Sequence, residues 1–327
     1  MKIKSEIRRF FAEFQLKGDK KLEKAQRLDV EKNTKTKKKF RGIDNPYSGY
    51  AFIAPQVLLL LIFIVYPVLK GFKMSLYEVY GMDKYFVGLQ NFIDLFQDPI
   101  FVKSIFNTIF FVVAIVVATI VFALFVATTV YDKNPKYVSF IRGSYYLPVI
   151  VSMVVMSIIW NFLLNPSNGL ISYVLNTLGI ENVNLLGDTR TVMPVIIFVT
   201  FVGNVGQAII LYIAAMIGLP ADLFEAAQLD GATRWQRIRH ILVPLMRPTT
   251  IYLTIINIIA VLKIFVVIQL LTGGGPNNAS VTMMYYLYQN AFIYNNTGAA
   301  SAIGVLMFVI AMLFSLPQLK TFLKSDK

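Results

Sequence analysis

The sequence predicts an all-α fold: a polytopic membrane protein with six transmembrane helices, both termini cytoplasmic, and a pair of short helices between the fourth and fifth spans. Three observations predict it. Hydrophobic residues make up 56% of the 327-residue chain and charged ones only 15%, with a mean hydropathy of +0.62, a composition that belongs to a chain solvated by lipid. Six apolar stretches are each long enough to cross a hydrocarbon core, which takes about twenty helical residues. Lysine and arginine gather on the segments of one side.

The spans run from Ala51 to Leu69, Ile105 to Val130, Gly143 to Leu164, Val192 to Leu219, Thr249 to Leu271 and Ala299 to Leu319, and the fifth alone contains a charge, Lys263. Helices are required because unpaired backbone groups are too costly in lipid. The second and fourth stretches are long, which points to tilt or to extension beyond the bilayer rather than to a seventh span. The first apolar segment begins about fifty residues in and continues for about twenty, so it reads as an uncleaved span and not as a signal peptide. The chain has no cysteine, which excludes disulfides, thiolate metal sites and cysteine nucleophiles.

With the amino terminus inside, the inner segments hold 25 of the 31 Lys and Arg residues, among them Lys133, Lys136, Arg142, Arg234, Arg237, Arg239 and Arg247. The outer loops hold only Lys73, Lys84, Lys103 and Arg190. The chain therefore divides into a basic cytoplasmic tail, 1–49, a transmembrane domain, 50–320, with a cytoplasmic loop at 220–248, and a short cytoplasmic tail, 321–327. The first tail alone holds 15 Lys and Arg against 7 Asp and Glu, so most of the formal net charge of +13 belongs to it. Within it Ile7, Phe10, Phe11 and Phe14 have helical spacing, as an amphipathic helix on the inner leaflet requires. Its charge is assigned to topology and the lipid bilayer, not to nucleic acid.

The 220–248 loop is too patterned for a passive connector. Pro220 suits a first helical position and Asp222 the positive end of a helix dipole, so the run to Asp230 reads as a short helix stopped by Gly231. A second helix begins at Thr233, with Trp235, Ile238 and Leu242 on one face and Arg234, Arg237 and Arg239 elsewhere. Glu225-Ala226-Ala227, then Gly231, then Ile241-Leu242-Val243-Pro244 resembles the EAA motif of ABC importer permeases, with Val243 where family members usually have Leu. The resemblance implies a coupling helix that docks in a cleft of a cytoplasmic ATPase, with Glu225, Ala226, Ala227, Asp230, Gly231, Ile241 and Pro244 as the coupling residues. Small alanines allow close approach, Glu225 offers a charge-assisted contact, and Gly231 permits the sharp turn.

Leu271-Thr272-Gly273-Gly274-Gly275-Pro276, followed by Tyr288 and Ala291-Phe292, is similar to the segment after the fifth span in carbohydrate permeases of the maltose-importer family. The likeness covers roughly residues 50 to 320. It implies a subunit of the bacterial cytoplasmic membrane that works with a second permease subunit, two ATPase subunits and an extracytoplasmic solute-binding protein, and that imports a sugar or oligosaccharide by alternating access. The glycine run lacks the Lys-Ser/Thr of a P-loop, and no P-loop occurs elsewhere, so the chain cannot supply ATP hydrolysis by that route; the resemblance implies that no cofactor is expected in this chain and that ATP and Mg belong to the partner ATPase.

Uncharged polar residues in the spans are candidate solute contacts, because sugars need hydrogen bonds more than ion pairs. Asn204 and Gln207 in the fourth span and Asn257 in the fifth qualify, with interhelical hydrogen bonding as the competing role. Trp160 and Asn161 are weaker candidates, since an aromatic there is more often an interface anchor. Lys263 has three open roles: lining the cavity, where it would meet an acidic sugar, pairing within the complex, or extending toward headgroups. A non-carbohydrate solute is the alternative substrate class. An ATP-independent transporter would need intramembrane carboxylates, and the six spans have none. An enzyme would need more than one histidine, His240, in the loop, and neither a catalytic residue nor a metal site is predicted.

Overall fold

A computed structural model describes residues 48–80, 83–180 and 184–325, and the expected amphipathic helix of the basic tail lies outside them. In chain order the elements are α1 (Gly49–Met74), β1 (Tyr77–Tyr80), β2 (Asp83–Phe86), α2 (Gln90–Gln97), α3 (Pro99–Val130), α4 (Pro135–Ile150) and α5 (Met153–Leu163). They continue with α6 (Leu170–Thr177), α7 (Val192–Ile217), α8 (Ala221–Leu229), α9 (Arg234–Leu245), α10 (Arg247–Leu262), α11 (Val266–Leu271), α12 (Met283–Tyr288) and α13 (Thr297–Ser325). The chain divides into two units, 1–68 and 69–327, and the packing below is that of the second.

Among the described residues four helices, α1, α3, α7 and α13, are long and apolar enough to cross a membrane, and the number rises to 6 if each of two bent pairs counts as one span. The first pair is α4 and α5, which meet at 90° where a continuous third span from Gly143 to Leu164 was expected. Pro148 removes a backbone donor near the end of α4, and the Ser152 hydroxyl accepts from Val154 N–H to start α5 afresh. The second pair is α9 and α10, bent by 59°. The expected fifth span, Thr249 to Leu271, is also interrupted, at Lys263–Phe265, and α11 resumes beyond the break.

Among the described residues, one hairpin departs from an all-α fold. Aromatic and β-branched residues after α1 form the antiparallel hairpin β1–β2, with Tyr77 opposite Phe86 and their rings 5.4 Å apart. Asn91 of α2 fixes the hairpin by donating to the carbonyls of Ser75 and Tyr77.

The buried side chains form two clusters along α3 and α7. Phe101, Phe111, Ile115, Ile196, Ile268 and Ile303 lie in the first, and Ala123, Ala127, Ile209, Tyr212, Leu242 and Met246 in the second. On the opposite face of α3, Phe106, Phe110, Val113, Val117, Val121 and Phe125 form an exposed apolar stripe at spacings of three and four. The turn at 272–282 ends in a buried stretch, 279–282. Ser280 and Thr282 are fully buried, Asn107 of α3 donates to the Val281 carbonyl at 2.9 Å, and the Thr108 hydroxyl accepts from Met283 N–H at 2.9 Å. Nearby, the Tyr286 hydroxyl donates to the Asp98 carboxylate, and burial, that bond and the carboxylate charge push the phenol up to about 12.

Where α4 crosses α7 the backbones approach closely. A Cβ on Gly206 would lie 1.9 Å from the Tyr145 carbonyl oxygen, so only glycine fits. Gly206→Ala is expected to push these helices apart and to lower stability by about 1–3 kcal/mol. The thermal-unfolding midpoint in detergent checks this, with Gly218→Ala as a control because a Cβ there meets ordinary contact at 3.5 Å.

Candidate functional site

The segment between α7 and α10 is a helix, a glycine turn and a second helix. Pro220 stands just before α8 as its N-cap, and Asp222 lies in the first turn, where a negative charge opposes the helix dipole. Gly231 has φ +80°, its N–H donates to the Gln228 carbonyl, and Ala232 N–H donates to the Ala227 carbonyl at 2.9 Å. These paired bonds form a Schellman end that needs a left-handed residue at its centre. Thr233 then opens α9 through a capping box with Gln236.

One side of this unit is anchored and the other is bare. Phe224 is buried and its ring lies 5.1 Å from that of Tyr131, while Ile238 and Leu242 sink into the second cluster. Burial, and then the charge of Asp132, push the Tyr131 phenol up. Glu225, Ala226, Asp230 and Gly231 are exposed, whereas Ala227, Ile241 and Pro244 are half-buried. Leu229 is 89% exposed and Trp235 68%. Trp235 therefore does not share the buried face of Ile238 and Leu242, because it lies one turn earlier, beyond the end of the cluster they enter.

The arginines join this unit to its neighbours. Arg234 Nη2 donates to the carbonyls of Thr129 at 3.0 Å, Tyr131 at 3.1 Å and Thr128 at 3.4 Å, which satisfies acceptors left open at the end of α3. Arg237 Nη1 donates across the turn to Gln228 Oε1 at 3.2 Å. His240 Nδ1 meets only the Gln236 carbonyl of its own helix.

A second feature is a cavity of ≈ 150 Å³ at the break after α10, lined by Met153, Thr200, Asn204, Lys263 and Phe265 among others. It brings together Asn204 and Lys263 from two different helices. Asn204 Nδ2 donates to the Thr200 carbonyl at 2.8 Å, which leaves its side-chain oxygen for another donor. Thr200 is 3% exposed, and its hydroxyl has no hydrogen-bond partner among the described residues. Gln207 is exposed and Asn257, half-buried, donates to the Leu253 carbonyl of its own helix. Neither lines this cavity. The weaker candidates have structural partners: Trp160 packs edge-on against Phe198, and Asn161 donates to the Leu270 carbonyl at 3.0 Å.

The family described as binding-protein-dependent transport system inner membrane component matches residues 119–319. The chain belongs to that family. This inner-membrane permease is 34% identical over 283 residues, 85% of its length and 97% of the relative's, to the "Probable ABC transporter permease protein YurN" of Bacillus subtilis (strain 168). It is 29% identical over 273 residues, 83% of its length and 87% of the relative's, to the arabinooligosaccharides transport system permease protein AraP of the same organism. A crystal structure of a bacterial alginate ABC transporter in complex with alginate pentasaccharide-bound periplasmic protein is similar at TM-score 0.74 and 26% identity, covering 85% of this permease and 95% of that chain. The permease is thus a membrane transport subunit and not an enzyme in its own right.

Two residues of the permease escaped the sequence reading. Thr200 looks like any helix threonine, and only its burial beside Asn204 distinguishes it. Arg234 follows a capping threonine, and nothing in the linear spacing shows that its guanidinium reaches α3. Arg234→Ala is expected to lower stability by about 1–2 kcal/mol through the lost charged hydrogen bonds, with Arg234→Lys recovering part, because an ammonium also offers three donors on one nitrogen but on a shorter side chain. Thermal unfolding of the purified permease measures both.

Proposed function

We propose that this permease forms, with a second permease subunit and two ATPase subunits, an importer that receives a sugar or oligosaccharide from an extracytoplasmic binding protein and moves it inward by alternating access. In this reading the 220–248 segment and both termini are cytoplasmic, and ATP with Mg acts in the partner ATPase. The observation that carries it is the division of that segment into an anchored side, Phe224, Ile238 and Leu242, and a bare side, Glu225, Ala226, Leu229 and Trp235. A surface leucine and tryptophan left in water next to a carboxylate fit a docking helix better than a passive loop. The names of AraP and of the alginate transporter, the latter with its periplasmic protein, support the solute class and the binding protein.

Coupling residues Glu225, Ala226, Ala227, Asp230, Gly231, Ile241 and Pro244 then transmit ATPase closure to the spans. Gly231→Pro removes the left-handed turn, since proline fixes φ near −65°, and Glu225→Lys reverses the docking charge. Both are expected to insert at wild-type level while uptake and solute-stimulated ATPase activity are lost. Normal uptake in both variants would overturn the coupling role.

Asn204 and Lys263 are the leading solute contacts because the cavity joins them, and Gln207 and Asn257 rank below. Asn204→Ala and Lys263→Met are expected to raise the apparent KM for uptake by about tenfold, the effect of roughly one lost polar contact. Gln207→Ala and Asn257→Ala are expected to change it less, and the reverse order in a transport assay would move the solute path away from this cavity.

A further inference from the structure

A second cavity, of ≈ 300 Å³, lies where the ends of α3 and α7 meet the start of α4. Its walls are apolar over most of their extent, with Ala127, Val138, Ile213 and Met216 contributing, and its polar side carries Lys133, Ser139 and Arg142, with Asp132 as the one acid. Arg142 is the unusual member. Its Nε and Nη2 are buried and have no hydrogen-bond partner among the described residues, although Asp132 lines the same cavity. A guanidinium cannot shed its proton to relieve burial, so its fork of donors calls for an anion.

Tyr131 places this cavity in the molecule. The same residue lines the cavity, packs its ring against that of Phe224 and gives its carbonyl to Arg234, so the cavity adjoins the 220–248 segment. An anion site with apolar walls, at the ends of two membrane-length helices, fits an amphiphile better than a free ion, whose hydration the walls cannot replace. Basic pockets between transmembrane helices on the cytoplasmic side meet the leaflet in which anionic lipids concentrate.

We propose that this cavity binds the phosphate headgroup of an anionic phospholipid of the inner leaflet, with Arg142 as the principal contact and the apolar walls taking the start of the acyl chains. The leaflet assignment rests on the orientation given above and is independent of the solute. The test uses the complete transporter with its partner subunits, in which native mass spectrometry counts phosphatidylglycerol or phosphatidylcholine retained on the complex, with and without inorganic phosphate as competitor. Phosphatidylglycerol is expected to be retained over phosphatidylcholine and to withstand phosphate, with affinity about tenfold lower in Arg142→Gln and intermediate in Arg142→Lys. Equal retention of the two lipids, displacement by phosphate, or unchanged retention in Arg142→Gln overturns the proposal; the last result would leave Arg142 to an acid of a partner subunit. The first two arms need no variant and stay decisive should Arg142→Gln fail to assemble. Because the chain has no cysteine, Lys133→Cys reports the side directly: labelling from outside alone would overturn the orientation and the leaflet assignment, whereas loss of uptake alone leaves lipid retention untouched.

Discussion

The architecture around the cavity at the break after α10 depends on a single backbone obligation, the pairing of the carbonyl of Ile264. Where α10 stops at Leu262 and α11 has not yet begun, the chain has left the helical ladder within an apolar stretch, where an orphaned acceptor is costly. The buried hydroxyl of Thr282 donates to that carbonyl at 3.1 Å. Its oxygen in turn accepts from Tyr285 N–H, and Met283 N–H is taken by Thr108 of α3. The break, the 272–282 turn and α3 are therefore one hydrogen-bonded unit. Without the break Lys263 would be one more helical residue on a continuous span; with it, Lys263 caps α10 and joins Asn204 and Thr200 in the cavity wall.

This dependence explains which parts of the fold were legible in the sequence. α3, α7 and α13 follow from length and hydropathy, because nothing in their interiors competes with the helix. The interruptions at Val151–Ser152 and at Lys263–Phe265 could not be read the same way. Both sit in apolar runs, and each is stabilised by a local or distant hydrogen bond, Ser152 to Val154 in one case and Thr282 to Ile264, 18 residues on, in the other. Hydropathy counts side chains and is blind to backbone partners. The glycine-rich 272–276 run was legible as a turn, but the pairing of the stretch after it with Asn107 and Thr108 was not, because Val281 and Met283 lie more than 170 positions later.

At the candidate coupling segment the balance is reversed, and local chemistry was enough. Gly231 ends α8 through bonds that span five residues, and Thr233 and Gln236 cap α9 across three, so motif spacing carries the geometry. What spacing could not reveal is the side on which each helix finds protein. Trp235 has the same helical phase as Ile238 and Leu242 yet remains in the open, since phase gives direction and not the extent of the neighbour.

The attachments of that segment also determine what moves with it. Phe224 on Tyr131 and Arg234 on the last carbonyls of α3 tie α8 and the start of α9 to one end of α3, and Leu242 and Met246 tie the rest of α9 to the cluster shared with α7. Gly206 then brings α7 against α4 so closely that the two backbones have no room to slide independently. A push on the bare face of α8 would thus be delivered to α3, α7 and α4 together. The bend at α4–α5 and the break at Lys263–Phe265 mark places where the helical ladder is already interrupted. Any rearrangement that opens the cavity without breaking the buried clusters has to take up its rotation there, at the residues whose backbone is held by single hydrogen bonds instead of a helical ladder.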